Sequence, residues 1–252
     1  MEQQTISQLN QLNYDFYKIT AIDFDDSRHY FWNGWEKIPP LLDRFSDIRV
    51  ADIGCGNGRF GQFLVEKCSQ LKFSYTGVDA NITLLDFAHK NLKGKIPALH
   101  LQHSDIITAL QNNEDFLGKQ NFQLISSFGV FHHVPSFELR LKLLKYLLSK
   151  LTKDGYLIIS FWQFMNFERF RKKIITDQNM LAKKNIDLEK LEAGDYILDW
   201  KRGKFALRYC HFIDEAEQLR LVDQAQGKLI KTYLADGTEN VVNQYTIITH
   251  KN

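Results

Sequence analysis

The sequence predicts a doubly wound α/β domain: a mostly parallel, seven-stranded sheet with an N-terminal helical cap and a C-terminal β-hairpin. Three features predict it. Short apolar runs alternate with helical stretches of about ten to fifteen residues, a rhythm that calls for crossover connections and parallel strands. A Gly-rich segment, Asp52-Ile53-Gly54-Cys55-Gly56-Asn57-Gly58, follows the first of those runs. Near the C-terminus, Asp236-Gly237 separates two further runs and is a hairpin turn signal.

The elements follow in order. Ile6, Leu9, Leu12, Phe16 and Ile19 recur at helical spacing, so the chain opens with a helix. An aromatic stretch over 24–35 and Ile38-Pro39-Pro40-Leu41-Leu42 complete a helical cap over 1–47. Residues 49–53 are an apolar run ending in glycine, a buried strand. Residues 58–68 read as a helix with Phe60, Phe63 and Leu64 on one side. A second strand over 73–78 ends at Asp79, and Asn81 caps the helix that carries Leu84, Leu85 and Ala88. Strands over 98–102 and 122–127 come next. An amphipathic helix over 136–151 is ended by Lys153-Asp154-Gly155, before a fifth strand over 156–161. The rhythm breaks over 163–204, which predicts a helical lid inserted at 163–205. The remainder, 206–252, returns to the sheet through a strand at 206–211, a helix at 214–224 and strands at 228–234 and 241–249. Residues 1–252 thus read as a single domain whose core is 48–162.

Composition narrows the function class. With 44% hydrophobic and 25% charged residues the chain is an ordinary globular protein. Cys55, Cys68 and Cys210 are scattered and odd in number, which argues against a disulfide framework or a Cys-x-x-Cys metal knuckle and for a reducing compartment. No metal is expected. No apolar run approaches the ~20 residues of a membrane span, and the polar start, Met1 to Asn13, has no signal-peptide pattern. A cytoplasmic protein without a membrane partner is expected. The net charge is only +2. Residues 168–208, however, carry eleven Lys/Arg against seven Asp/Glu, compatible with a polyanionic partner as well as with a solvated helix face.

The chemistry concentrates at the ends of the first three strands. Glycines after the first strand permit a sharp turn and let a ligand lie against bare backbone. Their Gly-x-Gly-x-Gly spacing differs from the Gly-x-Gly-x-x-Gly of dinucleotide binders. Asp79, closing the second strand, can accept hydrogen bonds from two ribose hydroxyls. Asp105, after the third, can accept from an adenine amino group, with the Ile106 amide facing the ring. Open α/β sheets bind ligands at this carboxyl edge.

These residues resemble the class I S-adenosylmethionine (SAM)-dependent methyltransferases. Asp52-x-Gly54-x-Gly56-x-Gly58, Asp79 and Asp105 are similar to that family's first three motifs, and Ser126-Ser127-Phe128-Gly129-Val130-Phe131-His132-His133-Val134 to its fourth. The resemblance covers about 48–162 and implies a Rossmann-like fold. It implies a SAM site formed by Asp52, Gly54, Cys55, Gly56, Asn57, Asp79, Ala80, Asp105, Ile106, Phe128 and Trp32. A narrower likeness spans nearly the whole chain. Phe16-Tyr17, Thr20-Ala21, Phe24-Asp25, Ser27-Arg28 and Trp32 resemble the opening of the tRNA wobble-uridine carboxymethyl methyltransferases. Asp199-Trp200-Lys201, Arg208-Tyr209-Cys210-His211-Phe212 and Glu215-x-Glu217-x-Leu219 are similar to that family's late motifs. The chain departs from them by carrying Cys210 where the family usually has Tyr, and Asp199 where it tends to have Pro.

This second resemblance implies tRNA modification, with tRNA and a small activator protein as partners. A carboxylate acceptor is ionised at neutral pH and needs no general base; it needs cationic or hydrogen-bonding groups to orient it. Arg28, His132, Arg208 and His211 are the candidates, with Trp32 or Tyr209 as stacking partners for a base. Arg169, Arg171, Lys172 and Lys173 are candidate phosphate contacts. A small-molecule acceptor, a carboxylate or a quinone-like ring, is the alternative. A catalytically silent scaffold of the same fold is the second.

Overall fold

The computed structural model describes residues 1–27, 30–201 and 204–251. The chain opens with α1 (Gln3–Asp26), which buries Ile6, Leu9, Leu12 and Phe16 at the expected helical spacing. A 3-10 turn over Asn33–Lys37 leads into α2 (Pro39–Leu42), whose prolines stand in the first turn, where a missing N–H costs nothing. Strands and helices then alternate: β1 (Asp47–Ile53), α3 (Arg59–Lys67), β2 (Lys72–Asp79), α4 (Ile82–Leu92), β3 (Ala98–His103), α5 (Ile106–Gln111), β4 (Phe122–Phe128), α6 (Phe137–Ser149) and β5 (Leu151–Trp162). The insertion holds α7 (Glu168–Arg171), α8 (Gln178–Ala182) and β6 (Asp195–Trp200). Then come β7 (Ala206–His211), α9 (Glu215–Gln224), β8 (Gly227–Ala235) and β9 (Asn243–His250).

The main sheet has seven strands in the order β3-β2-β1-β4-β5-β9-β8. β1 to β5 are parallel; β9 pairs antiparallel with both β5 and β8. This is the expected fold class, hairpin included. Successive strand residues alternate between its faces. Ile125, Leu157 and Ile159 meet Leu143 and Leu147 of α6 and Leu221 of α9. Leu124, Ile158 and Ile247 meet Phe60 and Phe63 of α3 and Trp35. Strand order reverses between β1 and β4, which opens a crevice beyond their carboxyl ends.

Two expectations need correction. Residues 206–211 do not join the main sheet: β7 pairs antiparallel with β6 in a separate two-stranded sheet. The predicted boundary between 205 and 206 therefore falls inside one hairpin, and the insertion is not purely helical. The hairpin is stable apart from the main sheet because both its faces are covered. Ile197, Leu207 and Tyr209 pack on Leu9 and Leu12 of α1, while Leu198 and Cys210 pack on Phe164. The second correction concerns Lys153-Asp154-Gly155, which lies inside β5 rather than ending α6. β5 starts at Leu151, and its register against β4 shifts between Phe122 and Leu124. No helix among the described residues is long and apolar enough to cross a membrane.

Candidate active site

The crevice holds a cavity of about 710 Å³ that runs from the carboxyl ends of β1, β2 and β4, under α1, to the β6–β7 hairpin. One end is built by the loop after β1. Gly54 and Cys55 donate backbone hydrogen bonds to the Val78 carbonyl, which folds the loop against β2. Gly54 has φ +69°, and a Cβ there would lie 2.3 Å from Val130 Cγ2, so only glycine fits. The loop thus exposes backbone to the cavity where a side chain would fill it.

Each acid that lines the cavity is held by protein donors. Asp79 Oδ2 accepts from the Gly56 N–H and Oδ1 from the Asn81 N–H, both at 2.8 Å. Burial raises its carboxyl above the ordinary value, and those amides offset only part of that rise. Asp52 accepts from Tyr75 Oη and from Ser126 Oγ; burial outweighs both bonds and pushes its carboxyl up to about 6. Asp105 is the N-cap of α5 through Ile107 N–H, and its Oδ2 also accepts from Thr108 Oγ1 and from Asn10 Nδ2 of α1 at 2.6 Å. It is therefore a cap first, and its place at the cavity wall is secured by α1. Asp236 accepts from Gly34 N–H, Asn243 Nδ2 and Tyr245 Oη. Gly54, Cys55, Gly56, Asn57, Ala80, Ile106, Phe128 and Trp32 line the cavity with them. Asn57 Nδ2 donates to Asp25 at the end of α1, a second tie between that helix and the loop.

The other end is aromatic and cationic. Arg208, only 9% exposed, lies over the rings of Trp162 (4.7 Å), Phe16 (5.3 Å) and Trp200 (5.6 Å). Its Nε has no hydrogen-bond partner, and no carboxylate among the described residues lies within 4.0 Å of it. His132 is buried with Nδ1 unpartnered, its ring 5.4 Å from that of Trp162. Burial, then His133 and Arg208, hold it well below the usual imidazole range, so it is neutral. His133 is held to about 3 by burial and by Arg208. The Tyr209 carbonyl 2.8 Å from His133 Nδ1 can only accept, so Nδ1 carries the proton; Nε2 then accepts from the Tyr17 hydroxyl at 2.9 Å. Ligand atoms of His132, His133 and Cys210 lie within 4.8 Å of one another. Burial pushes the Cys210 thiol up to about 12, and both His133 nitrogens are engaged within the protein, while His132 Nδ1 has no partner.

The β7 strand sorts two of the sequence candidates. Arg208 faces the cavity. Tyr209 and His211 share the opposite face, as their alternation requires, and neither lines the cavity. His211 is therefore not a site residue. Its Nδ1 meets Asp195 Oδ1 at 2.6 Å and its Nε2 meets Glu217 Oε2 at 2.8 Å. Tyr209 Oη donates to the same Asp195 and stacks on no ligand space. Arg28 lies outside the described residues. Asn10 and Asn13 on α1 and Arg59 at the start of α3 line the cavity and went unread in the sequence; Tyr17 and Trp162, which line it too, carry part of the family likeness but were given no place in the site. Arg59 follows Gly58 directly in the loop motif, a signal that was available.

The profile of a family described as a methyltransferase domain matches residues 24–231. No curated protein matches the chain. Among solved structures, a SAM-dependent methyltransferase from Clostridium acetobutylicum aligns over 94% of this chain and 98% of its own, with 12% identity and a TM-score of 0.64. The N-methyltransferase NodS from Bradyrhizobium japonicum, solved with S-adenosyl-L-homocysteine (SAH), aligns over 95% and 98% at 13% identity and 0.59. A SAM-dependent methyltransferase from Methanosarcina mazei aligns over 82% and 95% at 18% identity and 0.59. Likeness at this identity shows the fold, and the family profile spans most of the chain, the Gly-rich loop after β1 included. The chain therefore belongs to the class I SAM-dependent methyltransferases, in the family of that methyltransferase domain.

Proposed function

We propose that this enzyme methylates the carboxylate of a carboxymethyl group on a tRNA wobble uridine. The observation that supports the reading is the make-up of the acceptor end of the cavity. Trp162, Trp200 and Phe170 offer flat faces on which a base can stack, next to a buried guanidinium suited to a carboxylate. Arg169 and Arg171 stand on α7, the helix that contributes Phe170, and Lys172 follows directly, where a phosphate backbone would pass.

The cofactor end fits SAM. The Gly54 turn leaves backbone bare, Asp79 is oriented by two amides with lone pairs left for ribose hydroxyls, and Phe128 and Trp32 form an apolar wall. When bound, SAM supplies an electrophilic methyl on a sulfonium. The residues of the chain supply position. α1 ties the Asp105 corner through Asn10 and the acceptor end through Asn13, whose Oδ1 accepts from the Tyr209 N–H. Holding acceptor and methyl in one orientation is where an enzyme of this kind gains most of its rate. The neutral His132 and His133 take no proton at neutral pH, in keeping with an acceptor that has none to give.

Incubation with methyl-labelled SAM and bulk tRNA tests the reading. Label in tRNA that is released by mild alkali, as a methyl ester is, is the expected result; label that resists alkali, or none, overturns it. A small-molecule carboxylate is the second reading, and one observation favours it: a cavity of about 710 Å³ is within the range of small-molecule pockets.

A further inference from the structure

We propose that Arg208 is a charge gate for the methyl acceptor: it admits the acceptor as a carboxylate anion and disfavours the neutral ester that transfer produces. This rests on the reading above only in taking a carboxylate as acceptor; the molecule that bears it is immaterial.

A buried guanidinium is costly unless it is paired. The fold pairs every acid that lines the cavity with donors of its own, yet leaves Arg208 Nε and the neighbouring His132 Nδ1 without partners. Both side chains are more than nine-tenths buried, and both flank the ring of Trp162. Three aromatic rings surround the Arg208 guanidinium; they stabilise a cation without neutralising it. Nothing among the described residues supplies the missing negative charge, so a ligand does.

Its chemistry follows from the neighbours. Asp52, Asp79, Asp105 and Asp236 are all engaged by protein donors, and neither His132 nor His133 can take up a proton near neutrality. The described acceptor wall thus offers a cation and no base, which suits a nucleophile that arrives already ionised. Transfer to a carboxylate oxygen forms one O–C bond and breaks one S–C bond. The bonding pair leaves with sulfur, and no proton moves. The acceptor goes from charge −1 to 0 while Arg208 stays cationic. The ion pair therefore exists with the substrate and not with the product, so one residue both selects the acceptor and promotes release of the ester.

The test uses the SAH-saturated protein and three small probes at pH 7 and constant ionic strength: acetate, acetamide and methyl acetate. Tryptophan fluorescence reads them out, because Trp162 and Trp200 border the guanidinium. Acetate is expected to perturb the emission at concentrations about tenfold or more below those needed for either neutral probe. Arg208→Gln should abolish that preference while calorimetric SAH affinity stays within about twofold, since the two ends of the cavity are separate. Arg208→Lys, which keeps the charge, should retain the preference in weakened form, and it serves if the glutamine variant fails to fold. Equal responses to acetate and acetamide in the wild type, or an acetate preference that survives Arg208→Gln, overturn the gate. An Arg208-dependent acetate preference with no label in tRNA keeps the gate and removes tRNA as the acceptor.

Discussion

Arg140 and Arg208 are both buried, and in opposite ways. Arg140, 1% exposed, donates through Nε to Glu217 at 2.7 Å and through Nη1 to the Val134 carbonyl, while Nη2 reaches Glu192 at 3.4 Å. Glu217 and Asp195 also hold His211, and the Met1 amine lies 3.5 Å from Glu192. The network joins α6, α9, the β6–β7 hairpin and the N-terminus. Arg208 stands on the other face of the same β7 strand, walled by aromatics and, among the described residues, given no acid. The fold thus uses its own carboxylates to dock the hairpin and leaves the cavity-facing cation for a ligand. Burial of an arginine does not by itself mark function; the absence of its counter-charge does.

Arg140→Met is the sharpest way to break this contrast and should have the largest effect. Removing Arg140 takes from Glu217 and Glu192 the cation they share and leaves them to His211 and the Met1 amine, a loss of up to about 3–5 kcal/mol in unfolding free energy. Chemical denaturation measures it. If the variant is no less stable than Arg208→Met, the two arginines do not differ as described.

Asp79→Ala comes next and probes the cofactor end. Each charge-assisted hydrogen bond lost to a ribose hydroxyl is worth about 1.5–3 kcal/mol, so SAH affinity by calorimetry should fall by tenfold or more. Asp105→Ala should instead appear mainly in stability, about 1 kcal/mol for a lost helix cap. An Asp105→Ala variant with the larger affinity loss would reverse their roles.

Arg208→Met should change unfolding free energy by less than about 1 kcal/mol, or raise it, because a desolvated cation with no partner is replaced by an apolar chain of similar length among aromatic rings. A loss as large as that for Arg140→Met would mean that Arg208 holds the fold together.

The two ends of the cavity also differ in how far the sequence discloses them. The cofactor end is local: Asp52, Gly54 and Gly56 lie in one loop, Asp79 ends the next strand, and Asn81 caps the following helix as its residue type predicts. Residue type and short spacing suffice there. The acceptor end is assembled from α1, β5, α7 and β7, segments far apart in sequence, so no spacing rule reaches it. Alternation on β7 correctly paired Tyr209 with His211 but could not say which face met the cavity; the segments packed on its two faces decide that, and they come from distant parts of the chain. Arg140 falls on the buried stripe of α6, three and four residues before Leu143 and Leu144, where helical spacing calls for an apolar residue, and only the arrival of Glu217 and Glu192 from distant segments explains a charge there. Tyr17 and Asn13 reveal their cavity-facing role only once α1 is laid across the crevice.

The smallest expected effect is the pH dependence of the Arg140 network. Burial lowers the affinity of His211 for a proton, but its hydrogen bonds to Asp195 and Glu217 outweigh that and leave its folded pKa raised above 6.5. A raised base contributes stability that is complete below the unfolded value and is lost as pH climbs through the folded one. Glu217 runs the other way. Burial alone would raise it, yet His211 and Arg140 hold it below 4.5, so its contribution is complete above 4.5 and is lost as pH falls through the folded value. The network is therefore strongest between about pH 4.5 and 6.5. His132 and His133, buried neutral, act in the opposite sense and weaken the fold below pH 6.5, so the whole-protein profile mixes both. The difference between wild type and His211→Gln isolates the network. The destabilisation caused by that substitution should be greatest near pH 5.5 and shrink as pH rises toward 9. A destabilisation that grows with pH would show that His211 is held neutral, and that the acids around it are answered by Arg140 alone.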